Sequence, residues 1–116
     1  MATDIFKRIP VCKHGSIGDF DIDLITALMR LEAHLRVKLN YNSGYRCNEC
    51  NEKAGGAKNS AHLRGRAVDV AISGSRERYL VLKAALELGF RRVGVGKGIL
   101  HLDIDTSLDQ DVIWLY

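Results

Sequence analysis

The sequence predicts a small α+β domain in which two main helices pack on a mostly antiparallel sheet. Apolar residues recur at i, i+3 and i+4 from Ile22 to Leu35 and again from Arg76 to Leu88, as expected of helices with one buried face. Short apolar or alternating segments at 67–72, 91–95, 99–104 and 112–115 read as strands. No repeat or low-complexity stretch interrupts the chain, so residues 1–116 form one domain.

Taken in order, residues 1–18 are expected to be irregular, holding the only proline, Pro10, and the stretch Gly15-Ser16-Ile17-Gly18. Asp19 or Asp21 can cap the first helix, whose apolar face is expected to carry Ile22, Ile25 and Leu28 or Met29 together with Leu24, Leu28, Leu31 and Leu35. Asp23, Arg30, Arg36 and Lys38 mark its solvated side. Leu39 to Ser43 alternates weakly and reads as a short strand ending at Gly44. Residues 46–60 are polar and contain glycine, which predicts a long surface loop with room for one helical turn. Ala67 to Ile72 is a strand, followed by a Ser73-Gly74-Ser75 turn. In the second helix Tyr79, Leu82, Leu86, Val81, Ala85 and Leu88 are expected to face inward, with Gly89 as the stop.

A chain of this length can bury roughly two thirds of its unfolded surface, so a core is possible without disulfides. The net charge of +3 is too mild to indicate a nucleic-acid partner. No apolar run is long enough to cross a bilayer, and the first ten residues lack the apolar stretch of a secretory signal. The chain is therefore expected to be made in a cytoplasm without a signal peptide, and three cysteines argue against a disulfide framework.

The chemistry concentrates in two segments, Ser60-Ala-His62-Leu-Arg-Gly65-Arg-Ala67-Val-Asp69 and His101-Leu-Asp103. Asp69 interrupts an apolar strand, where a carboxylate is costly unless paired or bound to a metal. Its neighbours on the same strand face, Ala67 and Ala71, are small and leave room around it. His101 and Asp103 alternate with Leu100, Leu102 and Ile104 and so share one face of their strand. Gly65 lets the chain turn between His62 and the strand. Two imidazoles and one carboxylate suffice to hold a catalytic Zn2+ with a fourth position open for water. Without more context a histidine beside a strand is commonly only structural, and His14 and His34 are read as structural or solvated.

Together the stretch Ser43-Gly-Tyr-Arg46, Asn51, Gly55-Gly-Ala57, Ser60-x-His62-x-x-Gly65-x-Ala67-x-Asp69 and His101-x-Asp103 resembles the zinc D-alanyl-D-alanine carboxypeptidase family. That family includes phage endolysin peptidases, murein endopeptidases and the hedgehog signalling domain. The resemblance covers nearly the whole chain and implies a hedgehog/D-Ala-D-Ala peptidase-like fold. By it, His62, Asp69 and His101 are zinc ligands, and Arg46 is a catalytic and substrate-binding residue that grips a carboxylate or polarises a carbonyl. Ser60 either binds substrate or caps the turn before His62. The implied reaction is zinc-dependent hydrolysis of peptidoglycan stem peptides, by a protein monomeric by default that reaches the cell wall after phage-type release.

One part of the pattern is missing. Family branches place an acidic residue three positions before the last histidine ligand, or a histidine two before it, as general base. Here those positions hold Gly98 and Ile99. Asp103 is the nearest ionisable replacement, as catalytic base or as the residue orienting a ligand imidazole; Asp105 is a more distant candidate. Because the hedgehog domain acts by binding, an inactive zinc-containing binding module is the alternative.

Cys47-Asn-Glu-Cys50 departs from the resemblance. Reduced thiols are the default expectation. A second, structural zinc would need Cys12 and His14 to complete a Cys-x-His plus Cys-x-x-Cys set.

Overall fold

The computed structural model describes residues 2–116. Five strands, β1 (Tyr41–Ser43), β2 (Ala67–Ala71), β3 (Arg92–Val95), β4 (Ile99–Asp103) and β5 (Val112–Leu115), form one sheet in the order β1-β2-β4-β3-β5. The pairs β1–β2, β2–β4 and β3–β4 are antiparallel, whereas β5 runs parallel to β3. The α+β expectation holds, with a mixed sheet whose one parallel pair lies at its edge.

Period-two alternation gives the sheet two unlike faces. Val68, Val70, Val93, Leu100 and Leu102 are fully buried and join one core with the helices α2 (Ile22–Leu35) and α4 (Ser75–Glu87). The opposite face carries the polar row. Ser43 is paired with Asp69, Asp69 with His101, His101 with Gly94, and Gly94 with Trp114, all across neighbouring strands. Asp103 lies one pleat further along, opposite Ala67 on one side and Arg92 on the other. The helices thus stabilise the sheet from behind while the site occupies its front.

Asp21 is the cap of α2, accepting from Asp23 N–H at 2.8 Å; Leu24, Ile25, Leu28 and Leu31 are buried as expected, whereas Ile22, at the first position of the helix, is 62% exposed. In α4 the inward set is Val81, Ala84 and Ala85, while Tyr79 and Leu86 are 62% and 45% exposed. At about 100° per residue those two lie roughly 140–160° around the helix from Val81, so they share no face with it.

The N-terminal segment is not irregular throughout. Residues Ala2–Arg8 form a helix, α1, whose Ile5, with Ile9 just beyond, is buried in the core. Arg8 clamps Glu32 of α2 through two bonds of 2.9 and 2.6 Å. A seven-residue helix is marginal alone. Its stability comes from these tertiary contacts, which local periodicity does not reveal. The 46–60 loop, expected to have room for one helical turn, contains a six-residue helix, α3 (Asn48–Lys53). No helix among the described residues is long and apolar enough to cross a membrane.

Candidate active site

His62 sits on a 3-10 turn, Ala61–Arg64, fixed at both ends. Ser60 caps it, its Oγ accepting from His62 N–H at 3.2 Å. Gly65 closes it with φ +66°, and a Cβ there would lie 1.8 Å from the carbonyl oxygen of Asp19. Asp21 N–H donates to the Gly65 carbonyl at 2.9 Å, and Arg66 Nε donates to Asp21 at 2.9 Å. The turn bearing His62 is therefore pinned to the start of α2.

The two histidine rings are oriented by their outer nitrogens. His62 Nδ1 lies 2.7 Å from the Gly44 carbonyl, which can only accept, so Nδ1 carries the proton. His101 Nε2 lies 2.6 Å from Asp103 Oδ2 and by the same logic is the donor. In the neutral rings the lone pairs are then on His62 Nε2 and His101 Nδ1. Both point at Asp69 Oδ1, at 3.3 and 3.2 Å. The other Asp69 oxygen accepts from the Ser43 hydroxyl at 2.8 Å.

Two imidazole lone pairs aimed at a carboxylate oxygen repel unless a cation lies among them. The three ligand atoms fall within 4.8 Å of one another, and His62 and His101 are almost entirely buried. These residues fit a metal ion, and a carboxylate behind a ligand histidine is the usual support for one. Burial pushes the Asp69 carboxyl up, but His101 and His62 outweigh it and hold it well below the usual carboxylate range. Burial pulls the His101 imidazole down, yet the Asp103 and Asp69 carboxylates raise it overall.

Asp103 is fully buried and has no oxygen to spare. Oδ2 serves His101, while Oδ1 accepts from Arg92 Nε at 2.8 Å and from Asp105 N–H at 3.1 Å. Asp105 does not line the cleft: it is bound by Arg64 Nε and by the Ser107 backbone and hydroxyl. Burial raises its carboxyl, and the Ser107 and Arg64 hydrogen bonds bring it below the ordinary value.

The triad opens into a cleft of about 610 Å³ lined by Arg46, Ser60, Trp114 and Tyr116. Arg46 is placed by its own N–H, which donates to the His62 carbonyl at 3.1 Å, and its buried Nε has no hydrogen-bond partner. Ser60 uses its oxygen for the cap, leaving the hydroxyl proton for a ligand. The buried Asn51 holds the preceding loop by donating from Nδ2 to the Ala57 carbonyl at 2.8 Å. A second cleft, about 640 Å³ and lined by Leu35, Val37, Leu80 and Val81 among others, contains none of these groups.

Four contributors had no assigned role in the sequence. Ser43 and the Gly44 carbonyl orient Asp69 and His62, and Arg92 holds Asp103. Gly94 is bare because a Cβ would meet the Trp114 indole at 2.6 Å. Its absence lets Trp114 lie against His101, with ring centroids 5.1 Å apart. Only the alternation of Arg92 and Gly94 on their strand could have signalled that they share a face with the triad.

A family model described as Peptidase M15 matches residues 4–105, from α1 through β4 and every residue of the triad. Among curated proteins, no relative matches the chain. M15 peptidases are zinc-dependent metallopeptidases, the chemistry the converging triad fits. Since the match spans most of the chain, including the triad, Arg46 and Ser60, the protein belongs to the peptidase M15 family.

Proposed function

We propose that the protein is a zinc-dependent peptidase of bacterial peptidoglycan, cutting at D-alanine in stem peptides or crosslinks. The observation that carries it is the convergence of His62 Nε2, Asp69 Oδ1 and His101 Nδ1 at the floor of a cleft that also holds Arg46. Zinc held there supplies a Lewis acid for water and for the scissile carbonyl.

The chain's own residues do the rest. Arg46 brings a fixed positive charge to the cleft and has an unused donor, suited to the C-terminal carboxylate of a stem peptide or to the charge that develops on the carbonyl oxygen. Ser60 offers its hydroxyl proton to the substrate backbone. Trp114 and Tyr116 form an aromatic wall, with ring centroids 6.4 Å apart, against which a short peptide can lie. Burial leads the causes that raise the Tyr116 hydroxyl above its ordinary value, so at neutral pH it serves as a donor. Asp103 keeps His101 in the required tautomer and acts as a positioning residue. All these groups come from one chain, so a monomer is sufficient. The place of action would be the cell wall, reached by lysis-type release.

A binding module is the second reading, favoured by one observation. Among the described residues, the bases lining the cleft are Asp69, Asp103 and the two histidines, and each is engaged within the site. Digestion of purified sacculi with and without chelator separates the two readings. Zinc-dependent release of fragments whose masses report cleavage at D-alanine supports the peptidase. A zinc-loaded protein that binds stem peptides yet releases nothing would leave the binding module standing.

A further inference from the structure

Outside the triad, a second set of ligand atoms converges, and it uses side chains the peptidase chemistry leaves untouched. Cys12 and His14 lie in the irregular segment after α1, and Cys47 and Cys50 lie at the start of α3. The four ligand atoms fall within 4.8 Å of one another. His14 Nδ1 is 3.3 Å from Cys47 Sγ and 3.5 Å from Cys50 Sγ, and Cys12 Sγ accepts from Cys47 N–H at 3.4 Å.

We propose that Cys12, His14, Cys47 and Cys50 form a second, structural zinc site. Three thiols and one imidazole make a closed tetrahedral set, which leaves no position for water and is typical of structural rather than catalytic zinc. The distances agree with it. With Zn–S of about 2.3 Å and Zn–N of about 2.05 Å, tetrahedral angles place sulfur and nitrogen about 3.6 Å apart. The two S···N separations, 3.3 and 3.5 Å, are close to that value.

The sequence explains how the set is assembled. Cys47 is the cap residue of α3 and Cys50 lies one turn on, so both thiols project to one side of the helix start. Cys12 N–H donates to the Tyr45 carbonyl at 3.1 Å, and Gly15 N–H donates to the Cys12 carbonyl at 2.8 Å, folding the Cys-x-His segment over that helix. Neither partner has a core of its own: α3 is six residues long and polar apart from Cys50. His14, expected to be structural or solvated, becomes the fourth ligand.

The consequence reaches the cleft. Arg46 immediately precedes Cys47, and its N–H holds the His62 carbonyl. A metal crosslink between residues 12–14 and 47–50 would brace the segment that carries Arg46 without touching the triad.

The test is metal content of the purified full chain, with cobalt(II) substitution as a second readout. Two zinc ions per chain are expected, falling to one in Cys47→Ser and, separately, to one in Asp69→Asn. Cobalt-loaded wild type should show intense thiolate-to-cobalt charge-transfer bands in the near ultraviolet. Those bands should persist in Asp69→Asn, be lost in Cys47→Ser and weaken in His14→Ala, a milder change should the serine variant fail to fold. One zinc per chain in folded wild type, with no thiolate bands, would overturn the proposal. So would a Cys47–Cys50 disulfide found by mass in metal-saturated protein. Neither result bears on peptidase activity, so this proposal can fail while the catalytic one stands.

Discussion

Asp103→Asn separates the two roles open to that residue, and the structure sets the magnitudes. The wild-type carboxylate satisfies three donors: His101 Nε2 at 2.6 Å, Arg92 Nε at 2.8 Å and Asp105 N–H at 3.1 Å. An amide of the same shape offers one oxygen, and its NH2 must face a donor. A hydrogen bond to a charged group is worth about 1.5–3 kcal/mol and a neutral one about 0.5–1.5 kcal/mol. Weakening the bond behind His101 by about 1–1.5 kcal/mol raises the zinc Kd about tenfold, at the low end of the 10–100-fold range typical for such supports. A donor left unpaired in a fully buried place should lower folding stability by about 1–3 kcal/mol. The assay is zinc competition against a chromophoric chelator, paired with stem-peptide hydrolysis at saturating zinc. Weaker zinc binding, with activity largely restored by excess metal, fits a positioning residue. An unchanged Kd with hydrolysis abolished at saturating zinc would refute it and make Asp103 the proton carrier.

Other perturbations test other parts of the molecule. Arg46→Ala should lower kcat/KM by about 10²–10³-fold, as loss of a transition-state donor does, while leaving triad zinc in place by metal analysis; Arg46→Lys should recover only part. Gly65→Ala forces a side chain into φ +66° and against the Asp19 carbonyl, so chemical denaturation should show a loss of about 2 kcal/mol or more, with weaker zinc binding as the His62 turn shifts. Glu32 accepts from Arg8, Leu39 N–H and Tyr41 Oη. Burial raises its carboxyl, but these partners hold it below the ordinary value. A depressed folded-state pKa means the stabilisation is complete above about pH 4.3, the unfolded value, and is lost as pH falls through the folded one. Glu32→Gln should therefore cost about 2–3 kcal/mol at pH 7, from the broken Arg8 pair, and flatten the acid limb of a stability–pH curve. An acid limb identical to wild type would show that Glu32 carries no such linkage.

Much of the site was legible because its residues break local rules. Asp69 within Ala-Val-x-Val-Ala, and His101 and Asp103 alternating with Leu100, Leu102 and Ile104, are polar groups that a strand of period two must turn to a single face. α2 and the four later strands were legible for the complementary reason, that their apolar spacing is regular. α1 was missed and α3 was foreseen only as room for one helical turn, since helices of seven and six residues draw their stability from partners distant in sequence. Tyr79 and Leu86 were misplaced because apolar character alone does not say which side of α4 meets the sheet.

By itself, then, the sequence determined which atoms could do chemistry: two imidazoles, a carboxylate, a guanidinium and a set of thiols at chelating spacings. The tertiary structure alone decided how those atoms are used. Strand register places Asp69 beside His101, and His101 beside the Gly94 that admits Trp114. The Gly44 carbonyl and Asp103 choose the tautomers that leave two lone pairs facing one carboxylate oxygen. Cys12 and His14 come within ligand distance of Cys47 and Cys50 across a gap of more than thirty residues. Hydrogen-bond partners and register are long-range properties, set by which surfaces the core buries, and no local pattern encodes them.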